Sequence, residues 1–138
     1  MKSIFILLSI IFITNVGTCL GIDGTICNPG TEITYHSKGQ LKACSLKDEF
    51  TINGVKCKQF GFIHLYANGA LKSCDTADIF IHGDIYCNQH RQISFYSTGK
   101  LQSCDLSRPI KIDGKDCAEF NAITLFDNGK LQSCSSPQ

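Results

Sequence analysis

Cysteine recurs along this chain at an interval of thirty residues, twice over. Cys27, Cys57, Cys87 and Cys117 open four units, and Cys44, Cys74, Cys104 and Cys134 close them, each seventeen residues after its partner. Three more positions keep the register: isoleucine six residues after the opening cysteine (Ile33, Ile63, Ile93, Ile123), glycine at twelve (Gly39, Gly69, Gly99, Gly129) and leucine at fourteen (Leu41, Leu71, Leu101, Leu131). Self-similarity at a fixed period marks a repeat architecture, in which each unit buries its apolar side against its neighbours. The units run 20–49, 50–79, 80–109 and 110–138, so residues 20–138 form one repeat domain.

Inside a unit the signals are those of β-hairpins. Asn53-Gly54 lies between the short apolar pieces Phe50-Thr51-Ile52 and Val55-Lys56-Cys57, a tight-turn signature because both turn residues tolerate positive φ. Asp23-Gly24 and Asp113-Gly114 match it, and His82-Gly83 matches it displaced by one residue. A second turn ends on the repeated glycine, as in Ala67-Asn68-Gly69. Read as a three-residue loop with glycine in the left-handed conformation, it pairs Leu65 with Leu71 and Phe95 with Leu101, and puts Ile63 and Ile93 on the same face. Helical spacing is absent. The expected fold is all-β: four tandem hairpin units stacked into an elongated, disulfide-stapled sheet or solenoid, with open sheet, closed solenoid and propeller all compatible with the pattern.

Residues 1–19 read as a secretory signal peptide, with cleavage near 18–21. Lys2 is followed by an apolar run from Ile4 to Ile13 that is too short to span a bilayer as a helix. Export suits the nine cysteines, since disulfides persist in oxidising compartments, and the repeat cysteines are too far apart for the close pairs of structural zinc. Two connectivities compete. Pairing within units (27–44, 57–74, 87–104, 117–134) uses all eight, whereas staggered pairing (44–57, 74–87, 104–117) strands Cys27 and Cys134; modularity favours the first. Cys19 lies outside the register. Val16-Gly17-Thr18-Cys19 resembles the lipobox of bacterial lipoproteins, which would make Cys19 a lipidation site, while cleavage after it would remove it.

The stretch closing units 4, 3 and 2 reads FDNGKLQSC at 126–134, YSTGKLQSC at 96–104 and YANGALKSC at 66–74, and in unit 1 His36 replaces the aromatic. It resembles the MORN-type repeat, in the variant of bacterial antitoxin-like proteins where aromatic-x-x-Asn-Gly-Lys-Leu recurs in tandem. The resemblance covers about nine residues of each thirty and implies an elongated β-hairpin sheet. The longer period, the paired cysteines and the apolar leader depart from that family's pattern, and a cytosolic neutralising role does not suit an exported disulfide-bonded chain.

Chemistry-bearing residues do not converge in sequence. His36, His64, His82 and His90 occupy different repeat positions without metal-ligand spacing. Ser73, Ser103 and Ser133 recur beside the closing cysteine as small strand residues, with no nucleophile elbow. Asp75, Asp84, Asp105 and Asp116 form no pair suited to acid–base work, and Lys38, Lys42, Lys72, Lys100 and Lys130 read as solvated edges. Thirteen basic against twelve acidic residues leave no basic patch for nucleic acid. One position repeats with recognition chemistry: His36, Tyr66, Tyr96 and Phe126, just before each second turn, form a ladder that either binds a partner or packs the second face. The expectation is a secreted, periplasmic or cell-surface binding scaffold without catalytic residues, metal or cofactor. Its partner is expected to be protein, with glycan the other class. The rival is a small secreted inhibitor, immunity protein or toxin, whose contacts would concentrate in repeat-breaking segments such as 28–32 or 82–86.

Overall fold

The computed structural model describes residues 21–138; the apolar leader and Cys19 lie outside them. Unit 1 supplies a single 3-10 turn (Gly24–Ile26) and strands β1 (Thr34–Tyr35) and β2 (Leu41–Ser45). Unit 2 supplies β3 (Phe50–Ile52), β4 (Val55–Cys57), β5 (Phe62–Leu65) and β6 (Leu71–Asp75). Unit 3 repeats these as β7 (Phe80–His82), β8 (Ile85–Cys87), β9 (Gln92–Phe95) and β10 (Leu101–Asp105), and unit 4 as β11 (Ile110–Ile112), β12 (Lys115–Cys117), β13 (Ala122–Leu125) and β14 (Leu131–Cys134). The second hairpins lie side by side in chain order as one antiparallel eight-stranded sheet, and the first hairpins are three separate two-stranded ribbons. The arrangement is therefore an open sheet with a partial second layer.

The three-residue reading of the second turn holds. Leu65 pairs with Leu71, Phe95 with Leu101 and Leu125 with Leu131, while Gly69, Gly99 and Gly129 all have φ near +85° (82, 86 and 82). A further device follows each turn. Leu71 and Cys74 are three residues apart, yet both point into the core, which strict alternation forbids. A bulge resolves this: between the pairs Leu65↔Leu71 and His64↔Ser73 the register shifts, so Lys72 and Ser73 share one opposing position and Cys74 turns inward.

The first hairpins use two turn chemistries. Asn53-Gly54 and Asp113-Gly114 both have positive φ, as a type I′ turn requires. In unit 3 the loop is not displaced: His82 pairs with Ile85 as Ile52 does with Val55. Glycine simply occupies the first turn position, with φ +58° at Gly83, the type II′ pattern. Unit 1 departs from the expected hairpin. The Asp23 carboxylate accepts from its own Thr25 N–H and hydroxyl, which holds its pKa below the ordinary value and turns the chain into the 3-10 turn.

The core lies between sheet and ribbons. Ile63, Leu65, Leu71, Ile93, Leu101 and Ile123 from the sheet are buried with Val55 and Ile85 from the ribbons. Disulfides lie within each unit, joining ribbon to sheet in units 2–4 (Cys57–Cys74, Cys87–Cys104, Cys117–Cys134) and the end of the 3-10 turn to β2 in unit 1 (Cys27–Cys44), with Cα separations of 5.6–5.8 Å. Four intramolecular bridges fit an oxidising compartment. Successive units are joined by the strand pairs β2–β5, β6–β9 and β10–β13. One buried residue past each closing strand adds to this: Leu46, Thr76 and Leu106 donate to Gly61, Arg91 and Asn121 and accept from the N–H of Phe60, His90 and Phe120.

Candidate interaction surface

The aromatic ladder proves to be a set of rungs between units. The Tyr66 hydroxyl donates to the Phe95 carbonyl at 2.9 Å, and the Tyr96 hydroxyl to the Leu125 carbonyl at 2.8 Å. His36 Nε2 lies 2.9 Å from the Leu65 carbonyl, completing the same contact from unit 1. Each reaches twenty-nine residues ahead, one unit along. Phe126, in the last unit, has no hydroxyl and is 48% exposed. The turns beside the rungs are tied in the same way, Asn68 Nδ2 to the Ser97 carbonyl and Thr98 Oγ1 to Asp127 Oδ1. This geometry matches the packing alternative for the ladder. Tyr66→Phe and Tyr96→Phe should each lower stability by about 1 kcal/mol, since a half-buried carbonyl loses its donor. Phe126→Tyr should change nothing in the same urea titration.

A second aromatic row lies elsewhere, at the position three residues after each opening cysteine. Gly30, Phe60, His90 and Phe120 stand there, and all four have left-handed backbone, with φ of 94°, 62°, 57° and 59°. The conformation has a structural purpose: it aims the N–H of Phe60, His90 and Phe120 at the preceding unit's carbonyl. The side chains do not share that purpose. Phe60 is 63% exposed and Phe120 68%. A left-handed β-carbon costs roughly 1–2 kcal/mol relative to glycine, and glycine is what unit 1 uses. Two units thus carry large apolar rings where they are both strained and wet. Phe62, two residues on, is 60% exposed as well and stands on the outer face of the sheet.

Beside Phe62 that outer face has one low row. It crosses all eight strands through consecutive register pairs: Thr34, Ala43, His64, Ser73, Ser94, Ser103, Thr124 and Ser133. The three serines singled out in the sequence are members of this row of mostly small side chains, which keeps the face flat.

The remaining titratable residues are dispersed. His64 sits in the small-residue row, His82 stacks on Phe80 at 6.5 Å, and His90 belongs to the left-handed row. Asp105 faces Arg91 at 3.8 Å and Asp116 faces Lys111 at 3.9 Å. Lys56 bridges Glu49 and Asp78 at 2.9 and 3.3 Å, hydrogen bonds that raise its pKa and link the connectors after units 1 and 2. Among the described residues no group of three or more His, Cys, Asp or Glu side chains gathers to hold a metal. No family model, curated protein or solved structure matches the chain.

The sequence singles out His36, Tyr66, Tyr96 and Phe126 as a ladder that either binds or packs; the exposed row at 60, 90 and 120 is not part of that reading. The signal was present: glycine in one copy of an aligned position that elsewhere carries Phe or His hints at positive φ.

Proposed function

We propose that this is an exported, non-catalytic interaction scaffold that binds a protein partner through the exposed row Phe60–His90–Phe120, extended by Phe62. Residues 1–19 act as its signal peptide, and the bridged cysteines keep the array rigid outside the reducing cytosol. The observation that carries the reading is the pair of rings at Phe60 and Phe120, more than 60% exposed on left-handed backbone. Such positions cost stability and persist where another requirement holds them. Rigid aromatic side chains are the commonest energetic anchors of protein interfaces, because they bring large area at low entropy cost. The four-unit framework fixes their spacing, two strands per unit at about 4.8 Å per strand, so that neighbouring members of the row are about 10 Å apart.

The experiment is a comparison of two baits. The native chain and its Phe60→Gly/Phe120→Gly variant are used to capture partners from culture medium and envelope fractions, with identification by mass spectrometry. The variant should melt at the same temperature or higher, since left-handed strain is relieved while glycine adds unfolded-state entropy of similar size. Its partner should bind at least about tenfold more weakly, in line with anchor residues worth about 2 kcal/mol. Equal capture by both baits would remove the row from consideration. A stable fold with lost binding also separates this surface from the Tyr66–Tyr96 rungs, whose loss should act on stability.

A further inference from the structure

The unit–unit interface is built three times along the chain, and at its fourth occurrence it is blocked. Thr76 donates to the Arg91 carbonyl at 3.0 Å and accepts from His90 N–H at 2.9 Å, so its backbone groups face unit 3. Along an antiparallel strand, alternate residues turn N–H and C=O to the same side. Cys74, opposite Ile93, therefore faces unit 3 too, and by the repeat Cys134 turns its backbone groups to the outer side of β14. Among the described residues no strand pairs there.

Charged side chains take its place. Lys115 Nζ donates to the Cys134 carbonyl at 2.9 Å, and Asp113 Oδ2 accepts from Leu131 N–H at 2.6 Å. The equivalents of Lys115 in units 2 and 3 are Val55 and Ile85, both buried in the core, whereas Lys115 is exposed. The equivalent of Asp113 in unit 2 is Asn53. At the third point of contact, Tyr66 and Tyr96 reach the next unit through a hydroxyl, and Phe126 has none. Lys115 and Phe126 are residues that no other unit has at these positions, while Asp113 recurs as Asp23 in unit 1 and differs only from Asn53 and Gly83 of the internal units; all three act at the face where a fifth unit would dock.

The opposite end carries the complementary edge. β1 is the opening strand of unit 1, and its counterparts β5, β9 and β13 each pair with a preceding closing strand. Were β14 open, β1 of a second copy would fit it in the register of β10 on β13, with Ser133 opposite Thr34 and Cys134 opposite Ile33. Such head-to-tail contacts are not limited to a pair of copies: they grow into open filaments, or into rings where the rotation between copies closes. We infer that unit 4 is a built-in terminator: Asp113, Lys115 and Phe126 shut the β14 edge against the opening strand of a second copy of this chain.

The test restores unit 4 to the internal pattern with Asp113→Asn, Lys115→Val and Phe126→Tyr, in the chain purified as its host processes it. Light scattering coupled to size exclusion should give a single-chain mass for the native protein. The triple variant should form species of several chains that lengthen with concentration. Excess native chain should shorten them, because its β1 can add to an open β14 while its own β14 stops growth. Should the triple variant lose its four disulfides or its strand signal, Asp113→Asn/Lys115→Thr, which alters only exposed side chains, is read for the same association. The inference is overturned if the folded variant stays a single chain, if its assemblies ignore excess native chain, or if the native protein already assembles.

Discussion

Reduction of all four disulfides should unfold the domain. Each bridge closes a loop between residues seventeen apart and contributes about 2–4 kcal/mol, mostly by restricting the unfolded chain. Four together match or exceed the whole net stability of an ordinary domain, about 5–15 kcal/mol. The architecture offers little to offset the loss. One layer is three ribbons of three-residue strands, and two-stranded hairpins of that size are marginal alone. The order of reduction is also fixed by burial. Seven of the eight sulfurs belong to residues at most 4% exposed, and Cys134, on the last strand, is the half-buried exception. A thiol reductant should therefore open Cys117–Cys134 first, so that alkylation and peptide mapping find 117 and 134 labelled before any other pair. Far-ultraviolet circular dichroism retained after complete reduction and alkylation would show that packing alone holds the sheet.

The parts of this fold that were legible in the sequence are those written four times. Period, turn positions and the Leu65–Leu71 register could be read because glycine and leucine recur at fixed offsets, and one copy tests another. In the sequence only modularity favours pairing of cysteines within units, since loops of about seventeen and thirteen residues differ little in closure entropy. The bulge at Lys72-Ser73 was not legible. Its only trace is that Leu71 and Cys74, both apolar, are three residues apart, a spacing that the alternation of a plain strand does not explain.

The candidate site was less legible for a physical reason. Sequence places Tyr66 and Tyr96 before a turn, but whether a ring lies free or reaches a neighbouring unit depends on the twist and spacing between hairpins. The hydrogen bonds to Phe95 and Leu125 are contacts across that spacing. The loss of the hydroxyl at Phe126 is the letter that reports them, since among the described residues no further strand pairs beyond unit 4 to offer a carbonyl. Lys115 reports the same boundary: a lysine where two other units bury Val55 and Ile85 marks an edge. In a repeat chain, the positions that break the pattern carry information about what each unit touches, and they have to be read against the unit that is missing.

The same boundary makes one substitution mean different things in different units. Leu101→Ala should cost about 3 kcal/mol or more, because Leu101 is 1% exposed and packs between unit 3, its neighbours and the ribbon above, leaving a cavity when truncated. Leu131→Ala, at the identical repeat position, should cost less, about 1–2 kcal/mol, since Leu131 is only partly buried at the edge of unit 4 and the surroundings of the truncated side chain stay open to water. Leu41 and Leu71, at 2% and 1%, should follow Leu101. Unit 1 is terminal too, but Leu41 lies on the side of its unit that docks onto unit 2 and is buried as fully as the internal leucines, whereas Leu131 lies on the side that no unit covers among the described residues. Urea titrations of the four Leu→Ala variants decide the matter: three large shifts and one small one are expected. Four equal shifts would mean that Leu131 is packed as fully as the other three leucines, and the reading of unit 4 as a terminal cap would lose its energetic basis.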